Sequence, residues 1–320
     1  MPIFETVRVA AIQATSVVLD ADATIDKAIG LLEDAAAAGA QLAVLPECFV
    51  SLYPDWTWTA TASADRAAFD ELYARMWEES VTIPGPRIER LAEACNRIGI
   101  HCVIGVNERD ADGTYTLYNS FVVLGPSGVL HVHRKLMPTK HERMFHGLGD
   151  GTDLRVIETP FGRVGGLICW ENRMPLARYQ VYRGAPQIWV APTADTSDGW
   201  IALLQTIAIE SGAHVIGAPQ YVERAAFPAD FPTALPDDDV YMRGGAVVVG
   251  PRGEVLAGPL YGGEGMVLAD CDLRDGLRTR AWFDPVGHYA RDDVLLPLLG
   301  QPAPPPVAAD STAPALLDIR

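Results

Sequence analysis

The sequence predicts an α/β fold, and three observations carry that prediction. Short apolar runs recur along the whole chain, longer stretches of helical periodicity separate several of them, and Gly/Pro turn signals mark many of the boundaries. The first half opens with a strand over residues 7–13 and an amphipathic helix over 22–38 that Gly39 closes as a C-cap. An apolar strand at 42–45 runs directly into Pro46-Glu47. Helices are expected at 64–80 and 87–97, followed by strands at 101–106, 117–124 and 129–133, the last two joined by the turn Gly125-Pro126-Ser127-Gly128.

The second half repeats the alternation. Strands are expected at 162–168, 188–191, 215–218, 245–249 and 266–269, with helices at 174–183 and 200–212. Pro175 is tolerable in the first turn of its helix, where its missing N–H has no intrahelical partner to lose. No composition break divides the chain before about residue 300, so residues 1–300 read as one domain. The segment 301–320 opens Gln301-Pro302-Ala303-Pro304-Pro305-Pro306 and reads as a Pro/Ala-rich tail, disordered or packed against a partner.

Composition narrows the function classes. The 320 residues are 49% hydrophobic and 21% charged, an ordinary globular balance with room for a sizeable core. A formal net charge of −16 argues against a nucleic-acid partner. No apolar run reaches the roughly 18 residues of a bilayer span, and the N-terminus lacks a basic region followed by an apolar one. Five cysteines without paired or metal-like spacing fit reduced thiols, so a cytoplasmic protein is expected.

Three strand ends carry reactive side chains. Cys169 ends the apolar, glycine-bearing run Arg163-Val164-Gly165-Gly166-Leu167-Ile168 just ahead of a helix. The positive end of that helix would favour the thiolate, and backbone N–H groups there would face developing negative charge. Glu47 follows the buried strand 42–45 among apolar neighbours, where desolvation would raise its pKa toward that of a useful base. Lys135 ends the strand at 129–133. Each alone has a bland reading: a buried cysteine, a structural ion pair, a solvated lysine. Together at three strand ends they point to nucleophilic chemistry. Cys48, Cys95, Cys102 and Cys271 read as buried small hydrophobes. His131 and His133 share a strand face without a third ligand at a recognisable spacing, so no metal or other cofactor is expected. Tyr53, Trp56 and Trp58 are expected in the loop after Glu47, where Tyr53 is a candidate wall of a substrate pocket.

Leu45-Pro46-Glu47, Arg134-Lys135-Leu136-Met137-Pro138-Thr139 and Cys169-Trp170-Glu171-Asn172 occur in that order, and in this the sequence resembles the nitrilase superfamily of carbon-nitrogen hydrolases. The resemblance spans about residues 7–291. It implies a four-layer αββα sandwich, assembled as a homo-oligomer (a dimer or a larger spiral). It also implies Cys169 as nucleophile, Glu47 as base, Lys135 as the stabilising cation and Glu142 as a second glutamate, with Trp170 beside Tyr53 as a substrate contact. Cys169-Trp170-Glu171-Asn172-Arg173-Met174-Pro175-Leu176, Arg243-Gly244-Gly245 and Phe283-Asp284-Pro285-Val286-Gly287-His288-Tyr289 resemble the nitrilase branch. That branch would hydrolyse a small nitrile to the acid and ammonia through a covalent thioimidate and thioester, with some amide. An amidase or carbamoylase of the same superfamily, a hydratase-like enzyme, and a non-catalytic metabolite-binding protein remain the alternatives.

Overall fold

The structure is a computed structural model that describes residues 5–110 and 113–301. The chain begins with β1 (Thr6–Gln13), α1 (Ala21–Ala37) and β2 (Leu42–Val44). It continues through α2 (Trp56–Ala64), α3 (Arg66–Glu78) and α4 (Pro86–Ile98) to β3 (His101–Arg109), β4 (Leu117–Gly125) and β5 (Gly128–Arg134). After a 3-10 turn at Lys140–Met144 come β6 (Ile157–Thr159) and β7 (Gly162–Gly166), then a second 3-10 turn at Cys169–Arg173. Next are α5 (Pro175–Tyr182), β8 (Ile188–Thr193), α6 (Asp198–Ser211), β9 (His214–Pro219), β10 (Tyr221–Glu223) and β11 (Val240–Val249). The described chain closes with β12 (Val255–Tyr261), β13 (Gly265–Asp272), α7 (Leu273–Arg280) and α8 (Asp292–Leu299).

Two sheets result. One has the order β13-β1-β2-β3-β4-β5, and the other runs β10-β11-β9-β8-β7-β6 with β12 paired to β11. The parallel pairs lie at the centre of each: β1-β2-β3 in the first, β7-β8-β9 in the second. Period-two alternation assigns each strand two faces. In β1, Val9 and Ala11 point to the other sheet, while Ala10 and Ile12 pack under α1 and α4 with Ile25, Leu32 and Leu91. Val164, Ile188, Val190, Ile216 and Val248 answer from the second sheet across the central layer. The outer face of that sheet, Trp189, Ala191, Val215, Val247 and Val249, is covered by α5 and α6 through Val181, Tyr182, Trp200, Leu204 and Ile207. The order of layers is helix, sheet, sheet, helix, as the resemblance implied.

Several expectations need correction. The helix expected at 64–80 is α3, and α2 ahead of it was not expected; Asp65 separates the two, its carboxylate accepting the N–H groups of Ala67 and Ala68 as the N-cap of α3. Trp56 and Trp58 therefore sit on α2 and not in a loop, with Asp55 capping it through the Thr57 N–H. The strand expected to run through Ile168 stops at Gly166. The tail expected from 301 lies, beyond Gln301, outside the described residues. Among the described residues, no helix is long and apolar enough to cross a membrane.

Candidate active site

Glu47 and Cys169 both follow the carboxyl ends of parallel strands, β2 and β7, where open α/β sheets characteristically present ligand-binding groups. Two glycines allow the close approach this requires. A Cβ on Gly105 of β3 would lie 2.3 Å from the Pro46 carbonyl, and one on Gly166 would lie 2.1 Å from the Val190 carbonyl. Lys135 follows β5 directly, with its N–H donating to the Asn119 carbonyl of β4. Glu142 comes from the 3-10 turn after it and accepts the Thr139 N–H at 2.9 Å.

These elements bring Glu47, Lys135 and Glu142 together in the interior, each with a fully covered side chain. The Lys135 ammonium donates to Glu47 Oε1 at 2.6 Å and to Glu142 Oε2 at 2.8 Å. Asn119, which the sequence reading missed, donates through one amide nitrogen to both carboxylates, at 2.7 Å each. Tyr53 donates its hydroxyl to Glu142 Oε2 at 3.2 Å, and His146 Nδ1 lies 3.5 Å from Glu142 Oε1. One cation thus faces two carboxylates, and their surroundings separate them. Burial opposes the ionisation of Glu142, but Lys135 and His146 outweigh it and hold Glu142 well below the usual carboxylate range. For Glu47 burial prevails over Lys135, and the charge of Glu142 adds to it, so its pKa is raised. Burial would also discharge Lys135, yet the two glutamates keep it charged far into the alkaline range. Glu142 is therefore the fixed counter-ion and Glu47 the group suited to take up a proton.

Cys169 opens the second 3-10 turn with a left-handed backbone, φ +49°, uncommon for a residue with a side chain. Its sulfur accepts the Thr193 hydroxyl at 3.1 Å, while the next residue, Ala194, donates its N–H to Glu47 Oε2 at 2.8 Å. Consecutive residues at the end of β8 thus hold the thiol and the carboxylate. Asn172 donates to the Leu167 and Cys169 carbonyls and is itself held by the Trp189 indole N–H. The helix dipole expected to favour the thiolate is outweighed here. Burial and the nearby Glu47 charge push the Cys169 thiol far above its ordinary value, more than Lys135 and Thr193 lower it. The regular helix, α5, begins only at Pro175, so its positive end is too distant to compete.

The thiol lies at the inner wall of an open cavity of about 560 Å³. Tyr53, Trp56, Trp170 and Tyr241 supply its aromatic wall, and Lys140, Asp195 and Arg243 its polar one. Tyr53 is buried, so it contacts both the cavity and Glu142. Trp170 is half-buried, donates its indole N–H to Asp195, and has Lys140 and Arg173 over its ring at 5.3 and 4.5 Å. His133 lies away from the cavity, between Asp153 and Glu171. Among the described residues, no group of His, Cys, Asp and Glu is arranged to hold a metal. Thr193 is the lone polar residue of an apolar strand and Asn119 stands beside Ser120 in one, weak local signals visible in retrospect, and His146 had none.

The pattern of the carbon-nitrogen hydrolase family matches residues 8–281. The chain belongs to the carbon-nitrogen hydrolase family. It is 42% identical over 291 residues to an aliphatic nitrilase of Sinorhizobium fredii, covering 90% of this chain and 94% of that one. It is 40% identical over 316 residues to a bifunctional nitrilase/nitrile hydratase of Nicotiana tabacum, covering 96% and 90%. The same fold occurs in a branch 10 member of the nitrilase superfamily from Saccharomyces cerevisiae. That structure has a TM-score of 0.71 at 21% identity, with 90% of this carbon-nitrogen hydrolase and 97% of the yeast chain covered.

Proposed function

We propose that the protein is a nitrilase that converts a small organic nitrile to its carboxylic acid and ammonia. The observation that carries this reading is Cys169 at the wall of an open cavity, joined through Thr193 and Ala194 to a carboxylate of raised pKa that shares a buried lysine with a second carboxylate. The identity of about 40% to proteins named nitrilases supports it.

Cys169 attacks the nitrile carbon as Glu47 takes the thiol proton. A C–S bond forms, one C–N π bond becomes a nitrogen lone pair, and that nitrogen receives the proton to give a thioimidate. Glu47 then deprotonates a water that adds to the same carbon. Lys135 stabilises the developing negative charge, together with the N–H behind the nucleophile. Breaking the C–N bond with proton transfer releases ammonia and leaves a thioester, which a second water hydrolyses to the acid and free thiol. Breaking the C–S bond instead releases the amide, the outcome that the name of the tobacco relative describes for that protein. With burial and the Glu47 charge raising the thiol pKa, proton removal by Glu47 is coupled to attack. Glu142 fixes Lys135, and Tyr53 and Trp170 contact the substrate. Residues 1–300 act as this hydrolase domain, in a cytoplasmic homo-oligomer.

The test is ammonia release with product chromatography on aliphatic, aryl and arylacetonitriles beside the matching amides. Acid and ammonia from nitriles, with amides untouched, is the expected result. Turnover of amides alone would move the protein to the amidase branch, and no turnover of either would remove the catalytic reading.

A further inference from the structure

We propose that Glu171 is a positioning residue that sets the separation of Lys135 and Cys169, two groups delivered by different sheets. Its carboxylate bridges their backbones. Oε1 accepts the N–H of Leu136, the residue after Lys135, at 2.6 Å, and Oε2 accepts the N–H of Ile168, the residue before Cys169, at 2.8 Å. The side chain is completely covered, so both bonds are made away from water, where a carboxylate accepting N–H groups is strongly held. A third partner, His133 Nε2, lies 3.0 Å from Oε2.

His133 extends the clamp into β5. Its Nδ1 meets Asp153 Oδ1 at 2.8 Å, and Asp153 Oδ2 accepts the Arg134 N–H at 2.8 Å. A ring with a carboxylate at each nitrogen is satisfied only as the doubly protonated imidazolium. Burial would discharge it, but Glu171 and Asp153 raise its pKa to about 10. Residues 133 to 136 are thus each fixed in turn: the His133 ring, the Arg134 N–H on Asp153, the Lys135 N–H on Asn119 and the Leu136 N–H on Glu171. On the other sheet, Cys169 is held at φ +49° between the Glu171 bond to Ile168 and the Asn172 bonds to Leu167 and Cys169. A strained backbone persists only where its surroundings over-determine it. Glu171 does this for the cysteine turn while anchoring it to the lysine strand.

The inference rests on the nitrilase reading for its kinetic arm, and alkylation of Cys169 by iodoacetamide gives an arm that does not. In Glu171→Gln, one acceptor oxygen survives while the amide NH2 meets a backbone N–H and the charge facing His133 is lost. With a nitrile the wild type hydrolyses, kcat per alkylatable active site is expected to fall on the order of 10²-fold, with KM changed less than about threefold. The rate of Cys169 alkylation should fall with it. A purely structural role would reduce the folded fraction and leave kcat per site and the alkylation rate unchanged. His133→Gln, which keeps both backbone bonds of Glu171, should show the same pattern at roughly tenfold. Folded Glu171→Gln within about twofold of wild type in both readouts overturns the proposal. If that variant does not fold, the same result for His133→Gln overturns it. Absence of nitrile turnover by the wild type would defeat the nitrilase reading instead, and the alkylation rates would still decide whether Glu171 positions the thiol.

Discussion

Cys48 and Cys169 are alike by most measures that mark a special cysteine. Each follows a central parallel strand, each has a left-handed backbone (φ +44° and +49°), and each thiol is pushed up, first by burial and then by the charge of Glu47. They differ in what surrounds the sulfur. Cys48 packs into an apolar cluster with Leu52, Trp58 and Phe145, whereas Cys169 accepts the Thr193 hydroxyl and borders the open cavity. Neither strain nor an unusual pKa distinguishes a nucleophile here. Access does: only Cys169 of the two borders the cavity, so the proposed chemistry is assigned to Cys169 and the packing to Cys48.

The sharpest way to break this contrast is to remove each sulfur. Cys169→Ala should lower turnover by about 10⁴-fold or more with thermal unfolding little changed. Cys48→Ala should keep turnover while losing about 1–2 kcal/mol of stability in denaturant titration. The reverse pattern would exchange their roles.

Lys135→Met comes next in size. It leaves Glu47 and Glu142 buried without their cation, and breaking such a buried pair costs about 3–5 kcal/mol. Unfolding midpoints near neutral pH should drop accordingly, and kcat should collapse. Retained stability would mean that the two carboxylates do not depend on the ammonium.

The pH dependence tests the division of labour between the glutamates. Glu47 has a folded pKa above its ordinary 4.5, so kcat/KM should fall as pH drops through a value above 4.5 and the base becomes protonated. An acid limb at or below 4.5 would contradict that assignment. For stability the signs differ. The contribution of Glu142, whose folded pKa is lowered, is present above 4.5 and lost as pH falls toward that lowered value. That of Glu47 is present below 4.5 and lost as pH rises through its raised value. Stability and kcat/KM should therefore titrate separately.

Tyr53→Phe should have the smallest effect. It removes a 3.2 Å bond to Glu142 and leaves the ring at the cavity wall. A loss of about 1 kcal/mol or less and a kcat change of a few fold are expected. A larger change in kcat at constant KM would give the hydroxyl a direct part in the chemistry.

The fold class was legible from the alternation of strands and helices, and the meeting of Glu47, Lys135 and Cys169 from their places at three strand ends, whereas Glu142, in a 3-10 turn, was suggested by the resemblance alone. Strand bounds were less legible: Val240–Val249 extends beyond the apolar run 245–249 because its first half pairs with β10. The helix Trp56–Ala64 reads as a loop in the sequence, although Asp55 ahead of it and Asp65 between it and the next helix both stand at N-cap positions. Apart from the short-range pairs Lys135–Glu142 and Glu142–His146, what gives the site its electrostatics was not local. Asn119 lies 72 residues from Glu47, Thr193 24 from Cys169 and Glu171 38 from His133. The dipole expected to favour the thiolate was outweighed for the same reason: burial, and then a carboxylate delivered from the other sheet, are set by the tertiary fold.

The most direct measurement is intact-mass analysis with peptide mapping of protein quenched during nitrile turnover. A thioimidate or thioester adduct confined to the Cys169 peptide, and absent from Cys169→Ala, is the expected result. Turnover without any adduct, or an adduct on Cys48, would contradict the central claim that Cys169 is the nucleophile.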